Sequence, residues 1–289
     1  MTEYLRPRSL EEALAARRAH AEYIVLAGGT DLLVGSAARP EPPGVIDVFG
    51  LAPLAGISEQ ESGAIAIGAA TTYAAILQSE LVRRELPGLA AAAREVGALQ
   101  IQARGTLGGN VATSSPVGDT LPVLLALDAA VELASEARGR REVSYEAFLT
   151  GYRKTALAAD ELIVRVLFPP RPPGARHYWR KMGTRRAQSI SKVMVAGCAQ
   201  VEAGAFRHVR LGLGAVADRP VRARAAEAAL LGAAPGREAA ERARAALAGD
   251  ISPIDDVRST AAYRLAVAQN AVARFVESLA DGEQAASSR

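Results

Sequence analysis

The sequence predicts a mixed α/β (α+β) fold divided into two domains. β-rich apolar runs alternate with segments of helical apolar spacing, and a proline-rich break, "PPRPPG" at residues 169–174, interrupts the chain where no regular element can continue. The length of 289 residues and the 49% hydrophobic content suit a globular chain with a sizeable core.

The elements follow in order. "EYLRP" reads as a short strand, and Ser9 with Glu12 has capping-box spacing, so a helix is expected over residues 9–20. "YIVLA" (23–27) is a β-rich run that stops at a Gly-Gly pair, and "VIDVF" (45–49) is a second. "DLLVGSAA" between them suits one or two helical turns. "GAIAIGAATTYAAILQSE" reads as a strand turning into a helix, capped by Thr71 or Thr72, and Pro87 opens the next helix at a position where proline is tolerated. After a glycine-rich stretch, "TLPVLLALDA" predicts a helix, while "AVELAS" and "ELIVRVLFPP" predict strands. Beyond the proline break come strand-like runs in "KVMVAGCAQVEA" and "FRHVRLGLGAV", then helices near residues 221–231, 237–248 and 260–280. The last nine residues, 281–289, are expected to fray.

Composition excludes several functions. Cys198 is the only cysteine, so this chain alone holds neither a disulfide framework nor an iron–sulfur cluster. His20, His177 and His208 lie far apart without metal-ligand spacing. The net charge of +3 comes without a basic run interleaved with aromatics, which argues against nucleic acid as a partner. No apolar run approaches the roughly 20 residues that span a bilayer, and "MTEYLRPRSLEE" does not resemble a signal peptide, so a cytoplasmic location is expected.

Two stretches carry the functional signal: "LAGGTDLL" (26–33) and "TLGGNVATSSPVGD" (106–119). Each is a Gly-Gly pair followed by small polar residues. Adjacent glycines let successive backbone N–H groups converge on an anion, so two such turns could clamp the two phosphates of a dinucleotide. Neither stretch is a Rossmann G-x-G-x-x-G or a P-loop, and one such turn alone is more simply a tight connection.

"AGGTDLL" together with "GTLGGNVATSSPVGDTLPVLLALDA" resembles the FAD-binding medium subunit of the molybdenum hydroxylases, the xanthine dehydrogenase and carbon monoxide dehydrogenase family. The resemblance continues through "FLTGYRKTALAADELIVRVLFPP", "YWRKMGTRRAQSISKV" and "VRLGLGAVADRPVRARAAEAALLG", and so covers almost the whole chain. It implies a two-lobed FAD-binding domain of the p-cresol-methylhydroxylase type over residues 1–172, with lobes of about 1–54 and 55–172, followed by a smaller α/β domain at 175–280. It implies that Ala27, Gly28, Gly29, Thr30, Asp31 and Leu32 line one side of the FAD pyrophosphate, and that Thr106, Leu107, Gly108, Gly109 and Asn110 line the other. Thr113 and Asp119 would continue along the cofactor, Asp119 accepting from its ribose or adenine end or from the flavin. Ile163 and Lys181 match positions that approach the flavin, where a lysine would stabilise negative charge at the N1–C2 edge of the reduced ring. The chain departs from the family pattern at Gln102-Ala103, where many members read Arg-Asn, and at Ser189, where many carry Asp. Val96 stands where the animal xanthine dehydrogenases place an aromatic residue near the flavin.

The function implied by the resemblance is that of an electron-transfer subunit. A molybdopterin large subunit would hydroxylate the substrate, with a weak lean to a purine or N-heteroaromatic over CO or an aldehyde. An iron–sulfur small subunit with 2Fe–2S clusters would pass electrons to FAD, and FAD would deliver them to NAD or another acceptor. The expected assembly is a heterotrimer of these three chains, single or doubled. Two alternatives stand beside it: a self-sufficient flavin oxidoreductase of the same binding fold, and a nucleotide-binding or scaffolding module without a redox role.

Overall fold

The computed structural model describes residues 2–34, 40–185 and 188–280. The tail at 281–289, and residues 35–38 of "DLLVGSAA", lie outside the described residues; residues 31–34 form a turn.

The first lobe is built from β1 (Glu3–Leu5), α1 (Leu10–Ala19), β2 (Ile24–Leu26) and β3 (Gly44–Asp47). The three strands form a parallel sheet in the order β1-β3-β2. Helix α1 starts as its sequence dictates: the Ser9 side chain accepts from Glu12 N, and Glu12 in turn accepts from Arg8 N. Leu10 and Ala13 pack with Ile46, Val48 and Leu54 beneath the sheet.

The second lobe runs through β4 (Ile57–Glu59), β5 (Ile65–Gly68), α2 (Tyr73–Gln78), α3 (Glu80–Glu85), α4 (Pro87–Arg94), α5 (Leu99–Arg104), α6 (Leu107–Thr113) and α7 (Leu121–Ala126). It continues with β6 (Ala130–Ser135), β7 (Gly139–Ser144), α8 (Tyr145–Phe148), β8 (Leu149–Gly151), β9 (Lys154–Thr155) and β10 (Leu162–Phe168). Its antiparallel sheet has the order β4-β5-β10-β6-β7, and the helices cover one face. Thr72, not Thr71, caps α2; the Thr71 hydroxyl instead donates to Gly56 O.

In β10 the pairing with β6 shifts between Ile163 and Arg165. This bulge switches the parity of the strand. Before it, Leu162 and Val164 face the first-lobe core; beyond it, Val166 and Phe168 join Ile163 in the second-lobe core. The central strand therefore glues the two lobes together, and the cleft lies where they meet.

The C-terminal domain is a four-stranded antiparallel sheet, β11 (Arg176–Met182), β12 (Val193–Glu202), β13 (Ala205–Gly214) and β14 (Val221–Arg222), with α9 (Arg224–Leu230), α10 (Arg237–Leu247) and α11 (Ala261–Ser278). Val193, Val195 and Ala199 of β12 meet these helices, whereas Met194 and Ala196 join the core of the second lobe. Both faces of the sheet are covered, which is why β12 reads as a nearly unbroken apolar run. The expected helix near 221–231 begins only at Arg224, because Val221 and Arg222 pair with β13 first.

Ion pairs fasten the sheet to the second lobe. Asp128 accepts from Arg210 at 2.8 Å and from Arg222 at 2.5 Å, and Glu146 pairs with Arg224. No helix among the described residues is long and apolar enough to cross a membrane, and none of their His, Cys, Asp and Glu side chains cluster as a metal site.

Candidate functional site

A cleft of about 660 Å³ runs between the two lobes and reaches the C-terminal domain at Ile190. Both Gly-Gly stretches border it, and they do so in different ways.

The first stretch leaves the C-terminal end of β2, the edge of a parallel sheet at which open α/β folds place ligands. Gly29 has φ +77°, a conformation L-residues seldom adopt. Gly28 is held by a different constraint: a Cβ there would collide with the carbonyl of Arg104, so the first stretch touches, backbone to backbone, the chain just ahead of the second. Among the described residues, the amides of Gly28, Gly29, Thr30 and Asp31 have no acceptor in the protein, although they border the cleft. This is the donor set that an anion such as a diphosphate requires.

The second stretch is a helix start. Leu107 N donates to Thr71 O at 3.1 Å, Gly108 N to Ala69 O at 2.9 Å, and Gly109 N to the Thr106 side chain at 3.1 Å. These amides are already satisfied, so this Gly-Gly pair is not the open nest that the sequence suggests. Its glycines allow close approach instead, since a Cβ on Gly108 would overlap Ala69. Thr106 caps α6 through that same bond, and α6 forms one wall of the cleft. Leu107 turns its side chain into the core and does not line the cleft.

Of the residues anticipated for the site, Ala27, Gly28, Gly29, Thr30, Asp31, Leu32, Thr106, Gly108, Gly109, Asn110, Thr113, Asp119 and Ile163 all line the cleft. Lys181 does not, and it is not a surface residue either, its side chain being only 6% exposed. Its ammonium donates to Asp119 Oδ2 at 2.8 Å and to Glu95 O at 3.1 Å, so Lys181 stands behind Asp119. Asp119 also accepts from Ser191 Oγ at 2.9 Å, and Glu95 accepts from the indole of Trp179 at 3.0 Å. Burial raises the Asp119 carboxyl above its ordinary range, and Lys181 and Ser191 oppose that shift. Glu161, at the other end of the cleft, is held low chiefly by the Arg141 guanidinium, which donates to both carboxylate oxygens at 2.6 and 2.7 Å.

Further residues line the cleft that sequence reading missed. Arg153, at the turn between β8 and β9, approaches Asp31 Oδ1 at 3.7 Å, and the Thr113 hydroxyl donates to Asp31 Oδ2 at 3.3 Å. Arg17 enters from α1 and is tied to Tyr23 O at 2.8 Å; Tyr73, Leu157 and Ile190 complete much of the wall. Nothing local in the sequence marks these residues, because the fold alone gathers them. Val96, already singled out against its aromatic counterparts, lines the cleft near Asp119.

The geometry fits FAD: unpaired amides for an anion, glycines where backbone must approach, apolar walls at Val25, Val48, Leu54 and Ile163, and a sufficient volume. Comparisons agree. Residues 1–171 match the family model described as the FAD binding domain in molybdopterin dehydrogenase, and residues 177–279 match the CO dehydrogenase flavoprotein C-terminal domain. The chain is 31% identical over 277 residues to the xanthine dehydrogenase FAD-binding subunit of Escherichia coli O157:H7, covering 94% of each chain. It is 32% identical over 275 residues to the nicotine 6-hydroxylase medium subunit of Paenarthrobacter nicotinovorans, covering 94% of this chain and 95% of the relative. A solved structure of carbon monoxide dehydrogenase from Hydrogenophaga pseudoflava, lacking the Mo-pyranopterin moiety, superposes with a TM-score of 0.90 at 33% identity, covering 94% of this chain and 95% of that one. The chain therefore belongs to the FAD-binding medium subunits of the molybdenum hydroxylase family.

Proposed function

We propose that this chain is the electron-exit subunit of a three-chain molybdenum hydroxylase. It would take electrons from 2Fe–2S clusters on a small partner and deliver them to an external acceptor such as NAD, while a molybdopterin-bearing large partner hydroxylates a purine or N-heteroaromatic substrate. Bound FAD would collect single electrons and hand them on as a pair, and the protein contributes binding, orientation and electrostatics. The Gly28–Asp31 amides would hold the pyrophosphate, α6 would wall the opposite side, and Asp119, with Lys181 behind it, would fix the charge at the end near the C-terminal domain.

One observation carries this reading over a self-sufficient oxidoreductase. Among the described residues, both buried carboxylates lining the cleft are paired with a cation of the same chain, Asp119 with Lys181 and Glu161 with Arg141. Neither is left free to serve as the base for a substrate of the chain's own. The lean to N-heterocycles is supported by relatives named for xanthine and nicotine.

The test is co-expression with an iron–sulfur partner and a molybdopterin partner. Substrate should bleach the visible flavin absorbance in the complex and leave the lone chain unchanged. Bleaching of the lone chain by substrate would transfer the assignment to the self-sufficient oxidoreductase.

A further inference from the structure

We infer that Arg153 is a cofactor-retaining latch that exchanges its ion pair with Asp31 for the cofactor's diphosphate. This inference rests on the FAD reading above.

The first observation is conformational. Arg153 sits at the tip of the β8–β9 hairpin with φ +51°, in the left-handed region that favours glycine or asparagine. A long side chain kept in that conformation, at a turn where glycine would be less strained, points to a use for the side chain itself. The second observation is placement. The guanidinium lines the cleft and lies 3.7 Å from Asp31 Oδ1, and Asp31 closes the run of amides, Gly28 to Asp31, that have no acceptor among the described residues. The third is the weakness of the present pair. Arg153 and Asp31 are 43% and 60% exposed, and solvated pairs of this kind hold little. A diphosphate settled on the Gly28–Thr30 amides would present a denser negative charge to the same guanidinium, whose planar fork suits phosphate oxygens.

The other described cation lining the cleft, Arg17, is tied to Tyr23 O at 2.8 Å, whereas Arg153 has no backbone tether of this kind. The Arg153 side chain is therefore free to swing from Asp31 to the diphosphate when the cofactor binds. Asp31 would remain held by Thr113, across the cleft mouth.

The experiment measures FAD release from the reconstituted chain after large dilution, followed by the rise in flavin fluorescence as the cofactor enters free solution, at two ionic strengths. Arg153→Gly and Arg153→Asn remove the cation while relaxing the backbone, so both should fold at least as stably as the parent. Both should release FAD about tenfold faster, equivalent to about 1.4 kcal/mol, with a flatter salt dependence. Arg153→Lys, which keeps the charge and loses the fork, should fall between. Release from Arg153→Gly at the parent rate, with the parent salt dependence, would overturn the latch while leaving the FAD reading intact. Failure of the parent chain to take up FAD would overturn both.

Discussion

Lys181 Nζ lies 2.8 Å from Asp119 Oδ2, joining the first strand of the C-terminal sheet to the segment that follows α6. The side chains are 6% and 13% exposed, so neither charge is well hydrated, and Lys181 → Glu95 O completes the site. Removing one member of a buried pair leaves the other uncompensated, which costs about 3–5 kcal/mol. Lys181→Ala should therefore destabilise the domain junction strongly in urea unfolding, and Lys181→Met with Asp119→Asn should recover much of the loss. The single-mutant penalty should shrink as pH falls, because without the ammonium nothing but Ser191 opposes the burial that raises the Asp119 carboxyl. A mild, pH-independent effect of Lys181→Ala would show that the pair does not hold the junction.

The glycines of the two stretches should respond differently. Gly28→Ala drives a Cβ into the Arg104 backbone, which has no soft atom to yield, so about 1–3 kcal/mol of overpacking and loss of FAD retention are expected. At Gly109 a Cβ would meet only the Thr106 hydroxyl, at 2.9 Å, within a helix that prefers alanine by about 1 kcal/mol. Gly109→Ala should thus be close to neutral in stability, and Gly109→Val, which projects further from a cleft-lining position, should lose FAD with the fold retained. Circular dichroism and flavin titration separate these outcomes.

His177 links β11 to the start of α4. Gly88 N donates to its Nδ1 at 3.4 Å, while Nε2 is buried without a partner. Burial lowers its pKa to about 4 from an ordinary 6.5, assisted by Arg171. A folded-state pKa below the unfolded one gives stability that is present above pH 6.5 and lost as pH falls towards 4. The loss should reach about 2–3 kcal/mol by the lower end. His177→Gln should flatten the acid limb of urea midpoints between pH 7 and 5. An unchanged slope would place the acid sensitivity elsewhere.

Cys198 is buried in β12, and burial pushes its thiol up to about 12. An aromatic disulfide reagent at pH 8 should leave the native chain unlabelled and label one equivalent in denaturant. Rapid labelling of folded protein would mean that the C-terminal sheet opens away from the second lobe.

The bound flavin should be non-covalent and released entirely by acid precipitation. Trp179, the only tryptophan, donates to Glu95 beside cleft-lining Val96, so its fluorescence should be quenched on FAD uptake. Flavin that stays with the precipitate, or an unaltered tryptophan signal on loading, would count against this placement.

The sequence by itself determined whatever rests on neighbours in the chain. The Ser9–Glu12 box, Pro87 opening α4 and the apolar spacing of α11 are local signals, and each element forms where it was read. The two Gly-Gly stretches, with the motifs that follow them, were enough to name the family. The tertiary structure decided what long-range packing controls. The stretch at 107–113 became a helix because Leu107 and Val111 are buried and its first amides find Ala69 and Thr71, partners that no local pattern reveals. The bulge in β10, which breaks the period of two, turned Val164 and Val166 to different cores. Lys181 met Asp119 across 62 positions, and Arg153 met Asp31 only because the hairpin folds back over the first glycine loop. Charges separated this far in sequence pair through the fold, and hydrophobic burial sets that fold before any ion pair can choose its partner.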